Sequence, residues 1–415
     1  MELAIFGGEK TKTTPYGEGK KFGERELQEL KEALDQNTLF YWKGNKVKEF
    51  TKKFAEMYDV PYCVATSSGT AAIHVALCAA GVTAGDEVIT SPITDMGTVI
   101  GILYQNAIPV FADLDPNSYN MSPEGIEACI TDKTKAIVVV HLAGNAADMD
   151  PIMEIARKHN IKVIEDCAQS FMCYYKGRLA GTIGDFGCFS VNDFKHISAG
   201  DGGMVLAHNE ADYQTAFGFA DKNYNRFGGN IRKNLTCIAP NYRMNELTGA
   251  VALAQLERLP GIFKIRNRHG KRIAEGIKDI PGITPHKVLE GCESSFWLYM
   301  FRIDPDVFGC TAKEFSEAVA AEGIKCSGGY LPECVYEYPM FKNKSAFKGT
   351  HAPFDSPYYG GNVSYDTGIC PIAEEILETS LKLELDEFST EEDIEDIIKA
   401  IKKVADYYLE KKKNG

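Results

Sequence analysis

Short β-rich runs alternate with helical stretches through the first half of the chain, and this alternation constrains the fold more than any other feature. The runs are YCVAT (62–66), EVITS (87–91), IPVFADL (108–114), AIVVV (136–140), IKVIE (161–165) and FGCFS (186–190). Between them lie TAAIHVALCAAG, SPEGIEACI and MDPIMEIARKHN. Strands linked through helices pair in parallel, which predicts an α/β fold with a mostly parallel sheet wrapped by helices. In such sheets ligands gather at the carboxyl ends of the strands. Ser122 reads as an N-cap, with Pro123 at the first helical position. Upstream, Leu27, Leu30 and Leu34, then Val47, Phe50, Phe54 and Met57, recur at helical spacing and predict two packing stripes.

The texture changes near residue 260. A helix over about 244–259 is expected to stop at Pro260 and Gly261, the segment 327–367 reads as irregular, and Thr390 to Asp393 forms a capping box for a final helix. This predicts a large domain over 1–260, with an N-terminal arm at 1–20, and a smaller C-terminal α+β domain over 261–415. A chain of 415 residues, 44% hydrophobic and 25% charged, can bury a core of this size. Its net charge of −13 argues against a nucleic-acid partner. The opening MELAIFGGEKTKTT lacks an apolar signal core, and no long apolar run suits a membrane, so a cytoplasmic location is expected. The twelve cysteines show no C-x-x-C pair and read as reduced thiols, with no metal site expected.

Three strand ends carry the candidate chemistry. Lys195, in FSVNDFKHISAGDGGMV, stands between an apolar run and a glycine-rich turn, and is either snorkelling from a core edge or reacting. IKVIE delivers Glu165 and Asp166 to an edge where a carboxylate binds a metal, caps a helix or pairs with a cationic ring, the metal reading lacking histidine or carboxylate ligands at sensible spacing. In TSSGTAAIH, the residues from Ser67 to Thr70 lead into a helix and form either a plain N-cap or a phosphate seat. Taken together, a phosphate seat, a carboxylate and a lysine match the needs of pyridoxal phosphate.

The segments SSGTAAIHVAL, VVVHLAGNAADMDPIMEIA, VIEDCAQS, YYKGRLAGTIGDFGCFS, FKHISAGDGG, NYRMNELTGAVALAQLERL and CPIAEEI resemble, in order and spacing, the DegT/DnrJ/EryC1/StrS aminotransferases. These are fold-type I enzymes that use pyridoxal phosphate to aminate keto sugars and keto cyclitols. The resemblance implies that Lys195 links covalently to the cofactor and Asp166 contacts the pyridine nitrogen. It also implies that Gln169 bonds the ring hydroxyl, while Gly69, Thr70 and Ser190 hold the phosphate. Asn241, ahead of Tyr242 and Arg243, would reach the phosphate of a neighbouring subunit, which implies a homodimer with shared sites. Where the family stacks an aromatic residue on the ring, this chain has Asp95 with Met96 beside it, so either Met96 lies against the ring or Asp95 has a polar role. The segment 323–341 resembles members that use glutamine to aminate scyllo-inosose-type ketones; Tyr330, Tyr336 and Tyr338 either line a sugar pocket or pack, and Arg243 is a further substrate candidate. The expected activity moves an amino group from glutamate or glutamine to a nucleotide-linked keto sugar or a keto cyclitol. The alternatives are a sugar 3-dehydratase, whose family members carry histidine at the lysine position, as His196 would supply if the register slipped by one, and a non-catalytic cofactor sensor.

Overall fold

The computed structural model describes residues 2–228, 235 and 237–414. The alternating runs form β1 (Tyr62–Thr66), β2 (Glu87–Thr90), β3 (Ile108–Phe111), β4 (Thr134–Val140) and β5 (Lys162–Asp166). Past a short ribbon, β6 (Tyr174–Tyr175) and β7 (Arg178–Leu179), come β8 (Phe186–Ser190) and β9 (Gly203–Ala207). Seven of these make one sheet in the order β1-β9-β8-β5-β4-β2-β3. The pairs β2/β3, β2/β4, β4/β5 and β5/β8 are parallel, as the alternation predicts. β9, which the β-rich runs above do not include, is antiparallel to both β1 and β8. No helix intervenes between β8 and β9, so the chain turns back instead of crossing over.

Helices cover both faces of the sheet, and β2, β8 and β9 are buried along their whole length. Ahead of the sheet lie α1 (Glu24–Asp35) and α2 (Lys46–Met57); within it come α3 (Gly69–Ala79), α4 (Met96–Tyr104), α5 (Pro123–Ala128), α6 (Met149–His159) and α7 (Glu210–Ala220). Ser122 caps α5, accepting from the Gly125 amide at 3.0 Å, with Pro123 at its first turn. The α2 stripe packs as expected through Val47, Phe50 and Phe54. The α1 stripe does not: Leu27 and Leu34 are 59% and 60% exposed. α1 instead buries Glu26, Glu29 and Ala33. The two carboxylates tolerate this because Gln255 donates to Glu26 at 2.8 Å and Lys46 pairs with Glu29 at 2.6 Å.

α8 (Glu246–Ile277) does not stop at Leu259 but runs on through Pro260. The proline removes one amide from the helix, yet Leu259 and Ile262 on either side are buried, and that packing carries the helix across. Beyond it, β10 (Ile283–Pro285), β11 (Leu298–Ile303), β12 (Cys326–Gly328) and β13 (Ser380–Glu384) form an antiparallel sheet in the order β10-β11-β13-β12. Its core, built on Phe301, Phe315, Leu381, Leu383, Ile397 and Ile401, is separate from that of the large sheet. α8 bridges this second unit and the large sheet, whose core also takes in Met300, Val335, Tyr336, Phe341, Tyr365 and Ile376 from beyond residue 260. The final helix, Glu391–Asn414, opens with the expected capping box: Thr390 Oγ1 accepts from the Asp393 amide at 3.1 Å, and Asp393 Oδ2 accepts from the Thr390 amide at 2.7 Å. The N-terminal arm crosses to this second unit, where Lys12 pairs with Asp393 at 2.5 Å and Leu3 enters the core.

The segment expected to be irregular holds strand β12 and two short helical turns, Val335–Glu337 and Pro339–Lys342. It then lies along the margin of the large sheet. Tyr365 donates to the Pro109 carbonyl at 2.7 Å and Tyr359 to Glu87 at 2.9 Å. No helix among the described residues is long and apolar enough to cross a membrane.

Candidate active site

β5 ends at Asp166, β8 ends at Ser190, and α3 starts at Gly69; all three termini open on one cavity of about 710 Å³. Gly69 is required there by close approach. A Cβ at this position would lie 2.6 Å from Ser190 Cβ, so only glycine lets the start of α3 meet the end of β8. Gly203 plays the same part beside the preceding turn, where a Cβ would meet the Ser68 carbonyl at 2.3 Å. Ser68 caps α3, accepting from the Ala71 amide at 3.0 Å. With Thr70 and Ser190 also lining the cavity, this helix N-terminus can hold an anion.

Asp166 is buried, and both of its carboxylate oxygens are held: Oδ2 by the Thr98 hydroxyl at 2.7 Å, Oδ1 by the Ala168 amide at 3.0 Å. Burial pushes its carboxyl above the usual range, against these two donors and the nearby charge of Lys195. Lys195 sits in the turn after β8, its amide bonded to the Asn192 carbonyl at 3.0 Å. Its ammonium lies 4.4 Å from the centroid of the Trp297 ring, and burial lowers its pKa against the charges of Asp166 and Asp95. The two groups therefore share a poorly solvated site in which each is pushed toward its neutral form. A cation placed against Asp166 would reverse that push.

Gln169 is held from both sides, its Oε1 accepting from the Ala143 amide at 2.8 Å and its Nε2 donating to Tyr330 at 2.9 Å. Both Gln169 and Tyr330 line the cavity. Asp95 lines it too and caps α4, with Oδ1 accepting from the Gly97 amide at 2.8 Å, whereas Met96 packs against the main core and is not part of the lining. Tyr336 is buried with its hydroxyl on Glu374, and Tyr338 packs half-buried; neither lines the cavity. Asn241 and Arg243 lie outside it: Asn241 is exposed, and Arg243 pairs with Asp221 at 2.8 Å. His196 is buried behind the cavity wall, its Nε2 3.2 Å from the Ser295 carbonyl, so the cavity receives the lysine and not the histidine.

One cluster has the look of a metal site. His141, Glu165 and Cys167 place their donor atoms within 4.8 Å of one another. Glu165, however, already accepts from the amides of Gly181, Ile183 and Gly184 at 2.7–2.8 Å and from His141 Nε2 at 2.9 Å. The Ala147 amide donates to His141 Nδ1 at 3.1 Å, which fixes the proton on Nε2. With four donors on one carboxylate, no lone pair is left for an ion. The buried pair ties the end of β4 to β5, and Glu165 in turn holds the loop before β8.

Sequence reasoning missed Thr98, Trp297, Lys21, Arg266 and Lys382, all of which line the cavity. Thr98 falls one turn after Thr94 in a segment already singled out, and its role was open to inspection. The others come from just past the N-terminal arm, from α8, from the residue ahead of β11 and from β13, which only tertiary structure brings here.

Residues 20–402 match the DegT/DnrJ/EryC1/StrS aminotransferase family. The chain belongs to this family. As a member it is an aminotransferase with an α/β fold of fold type I. An L-glutamine:2-deoxy-scyllo-inosose aminotransferase of Micromonospora echinospora is 33% identical over 86% of this chain and 85% of the relative. A GDP-perosamine synthase of Escherichia coli O157:H7 is 36% identical over 77% of this chain and 85% of the relative. The solved structure of an aminotransferase from Psychrobacter cryohalolentis superposes with a TM-score of 0.81 at 29% identity, covering 94% of this chain and 98% of that one.

Proposed function

We propose that this aminotransferase uses pyridoxal phosphate to move an amino group from L-glutamine or L-glutamate to a keto cyclitol of the scyllo-inosose type or a nucleotide-linked keto sugar. One observation carries the reading: Lys195, Asp166 and the glycine-lined start of α3 open on a single cavity. The residues fit the cofactor. The close approach of Gly69 to Ser190 brings the start of α3 and the end of β8 together at the cavity, where they can seat a phosphate, and buried Asp166 presents to the same cavity a carboxylate that a protonated ring nitrogen would keep ionised. When bound, pyridoxal phosphate supplies an aldehyde to carry the amino group and an electron-poor ring to stabilise charge on the substrate carbon.

The protein's part follows from the geometry. Asp166, fixed by Thr98 and the Ala168 amide, keeps the ring nitrogen protonated. Lys195 Nζ, which burial makes easier to deprotonate, is the covalent anchor and then the base that moves a proton between carbons. Gly69, Thr70 and Ser190 would hold the phosphate, and Gln169 would bond the ring hydroxyl. Asp95 holds α4 and adds negative charge beside Lys195. Asn241, exposed and outside the cavity of its own chain, would serve the phosphate of a second subunit in a homodimer. The exposed Leu27, Leu34 and Ile238, the last 95% exposed, support a partner surface. Sedimentation as a monomer at micromolar concentration would remove that part of the reading.

The test is a spectroscopic one. The cofactor-loaded protein, given L-glutamine or L-glutamate, is expected to shift its absorbance to that of the amine form and to return on addition of a ketone acceptor. A dehydratase would release water from its sugar without donor-dependent conversion, and a sensor would do neither.

A further inference from the structure

Part of the cavity wall comes from the second sheet. Along β13, Leu381 and Leu383 are fully buried in the second core, so the alternation of a strand turns Lys382 and Glu384 to the other face, where both line the cavity. Four cations line it in all: Lys21, Lys195, Arg266 and Lys382. Lys195 is the covalent anchor. Lys21 donates to the Asp193 carbonyl at 2.8 Å. Arg266 is buried and, apart from its unpaired Nε, is held by the Leu385 carbonyl at 2.7 Å, the Phe296 and Trp297 carbonyls at 3.4 and 3.3 Å, and Glu387 at 3.2 Å. Lys382 is not engaged in this way. Among the described residues its ammonium has neither a hydrogen bond nor an ion pair, and it lies 5.8 Å from the centroid of the Tyr330 ring.

We infer that Lys382 binds the carboxylate of the amino donor. The inference rests on the aminotransferase reading above and names the part of the site that reading leaves open. Any amino-acid donor brings an α-carboxylate next to the amino group that must reach the cofactor. In a partly enclosed cavity that also presents Asp95 and Glu384, such an anion is repelled unless a cation receives it. A keto cyclitol carries hydroxyls and no carboxylate, so the same ammonium makes no ion pair in the second half of the cycle. One lysine thus distinguishes two substrates that use the site in turn. Tyr330, held by Gln169, supplies the ring beneath the ammonium and ties the donor subsite to the cofactor wall.

The experiment compares cofactor-loaded wild type, Lys382→Met and Lys382→Arg in three measurements. Binding of α-methyl-L-glutamine, which has no α-hydrogen and does not turn over, is followed by absorbance. Single turnovers are followed with L-glutamine, and separately with the amine form and 2-deoxy-scyllo-inosose. Lys382→Met is expected to weaken binding of both amino acids roughly ten- to hundredfold, the effect of losing one charge-assisted contact. Lys382→Arg should recover most of that loss, and the constant for the ketone should move less than about threefold. Unchanged donor binding, or equal weakening for donor and ketone, overturns the inference. So does a loss seen only with the ketone, which would give the lysine to the acceptor. A wild-type protein that converts no amino acid would instead defeat the aminotransferase reading, before any variant is made, and the inference with it.

Discussion

The two walls of the cavity are built by different rules. The wall from the large sheet consists of element ends: the last residues of β5 and β8, the first of α3, and the turn that follows β8. Its side chains are fixed from two sides, as Asp166 is by Thr98 and the Ala168 amide. The wall from the second sheet consists of side chains carried by its strands, Trp297 just ahead of β11 and Lys382 within β13, and these strands are held by core residues on the opposite face. The first wall is rigid and suited to chemistry that never varies. The second can exchange cavity-facing residues while its core face stays intact, and it suits the choice of substrate.

If that contrast is right, damage to the first wall should abolish turnover whatever the donor, and damage to the second should change affinity for one substrate. The largest effect is expected from Lys195→Ala, with amino transfer falling on the order of 10⁴-fold and no cofactor retained on the protein after borohydride reduction and mass mapping. A label that persisted on another lysine would move the anchor elsewhere. Asp166→Asn comes next, with a drop of about 10²–10³ in rate for every donor tested, since the neutral amide cannot hold the ring proton. A donor-selective effect would erase the distinction between the walls. Gly69→Ala should act on affinity for the cofactor: its Cβ would come 2.6 Å from that of Ser190, and the strain of moving the start of α3 is about 1–3 kcal/mol. Equilibrium dialysis of pyridoxal phosphate reads this directly.

The smallest effect is on stability and asks whether the second wall depends on the N-terminal arm. Burial alone would raise the Asp393 carboxyl, but Lys12 and the amides of Thr390 and Gly17 hold it down at about 2. Its folded value lies below the ordinary 3.8, so the stabilisation is present above about pH 4 and is lost as pH falls through about 2. Lys12→Met should therefore cost about 2 kcal/mol in urea unfolding at pH 7, with the gap to wild type closing in acid. A gap that stayed constant down to pH 2 would show the lysine acting by packing alone.

The contrast also explains what the sequence made legible. Asp166, Ser190 and Lys195 lie at or just past strand ends, and the strands announce themselves through short β-rich runs, so position along the chain implied position in space. β9 escaped because GMVLA follows a glycine turn without a helix between, and the parallel pattern has no place for it. Leu27 and Leu34 misled because a helical stripe shows amphipathicity without saying which side is inside; paired Glu26 and Glu29 reversed the sides. Pro260 misled because burial of Leu259 and Ile262 outweighs one lost hydrogen bond. Lys382 was invisible as a cavity residue, since the alternation in SLKLE tells which residues share a face but not what that face meets.

The tyrosines laid along the margin of the large sheet set a schedule for making the protein. β3 is an outermost strand, and the Pro109 carbonyl on it is capped by Tyr365, a residue synthesised long after it. Until the ribosome has delivered that segment, the row of backbone groups on β3 is open to any other nascent strand. Truncation ahead of Tyr365 would leave it open for good, and chains ending there should gather into aggregates even though every strand of the large sheet is present.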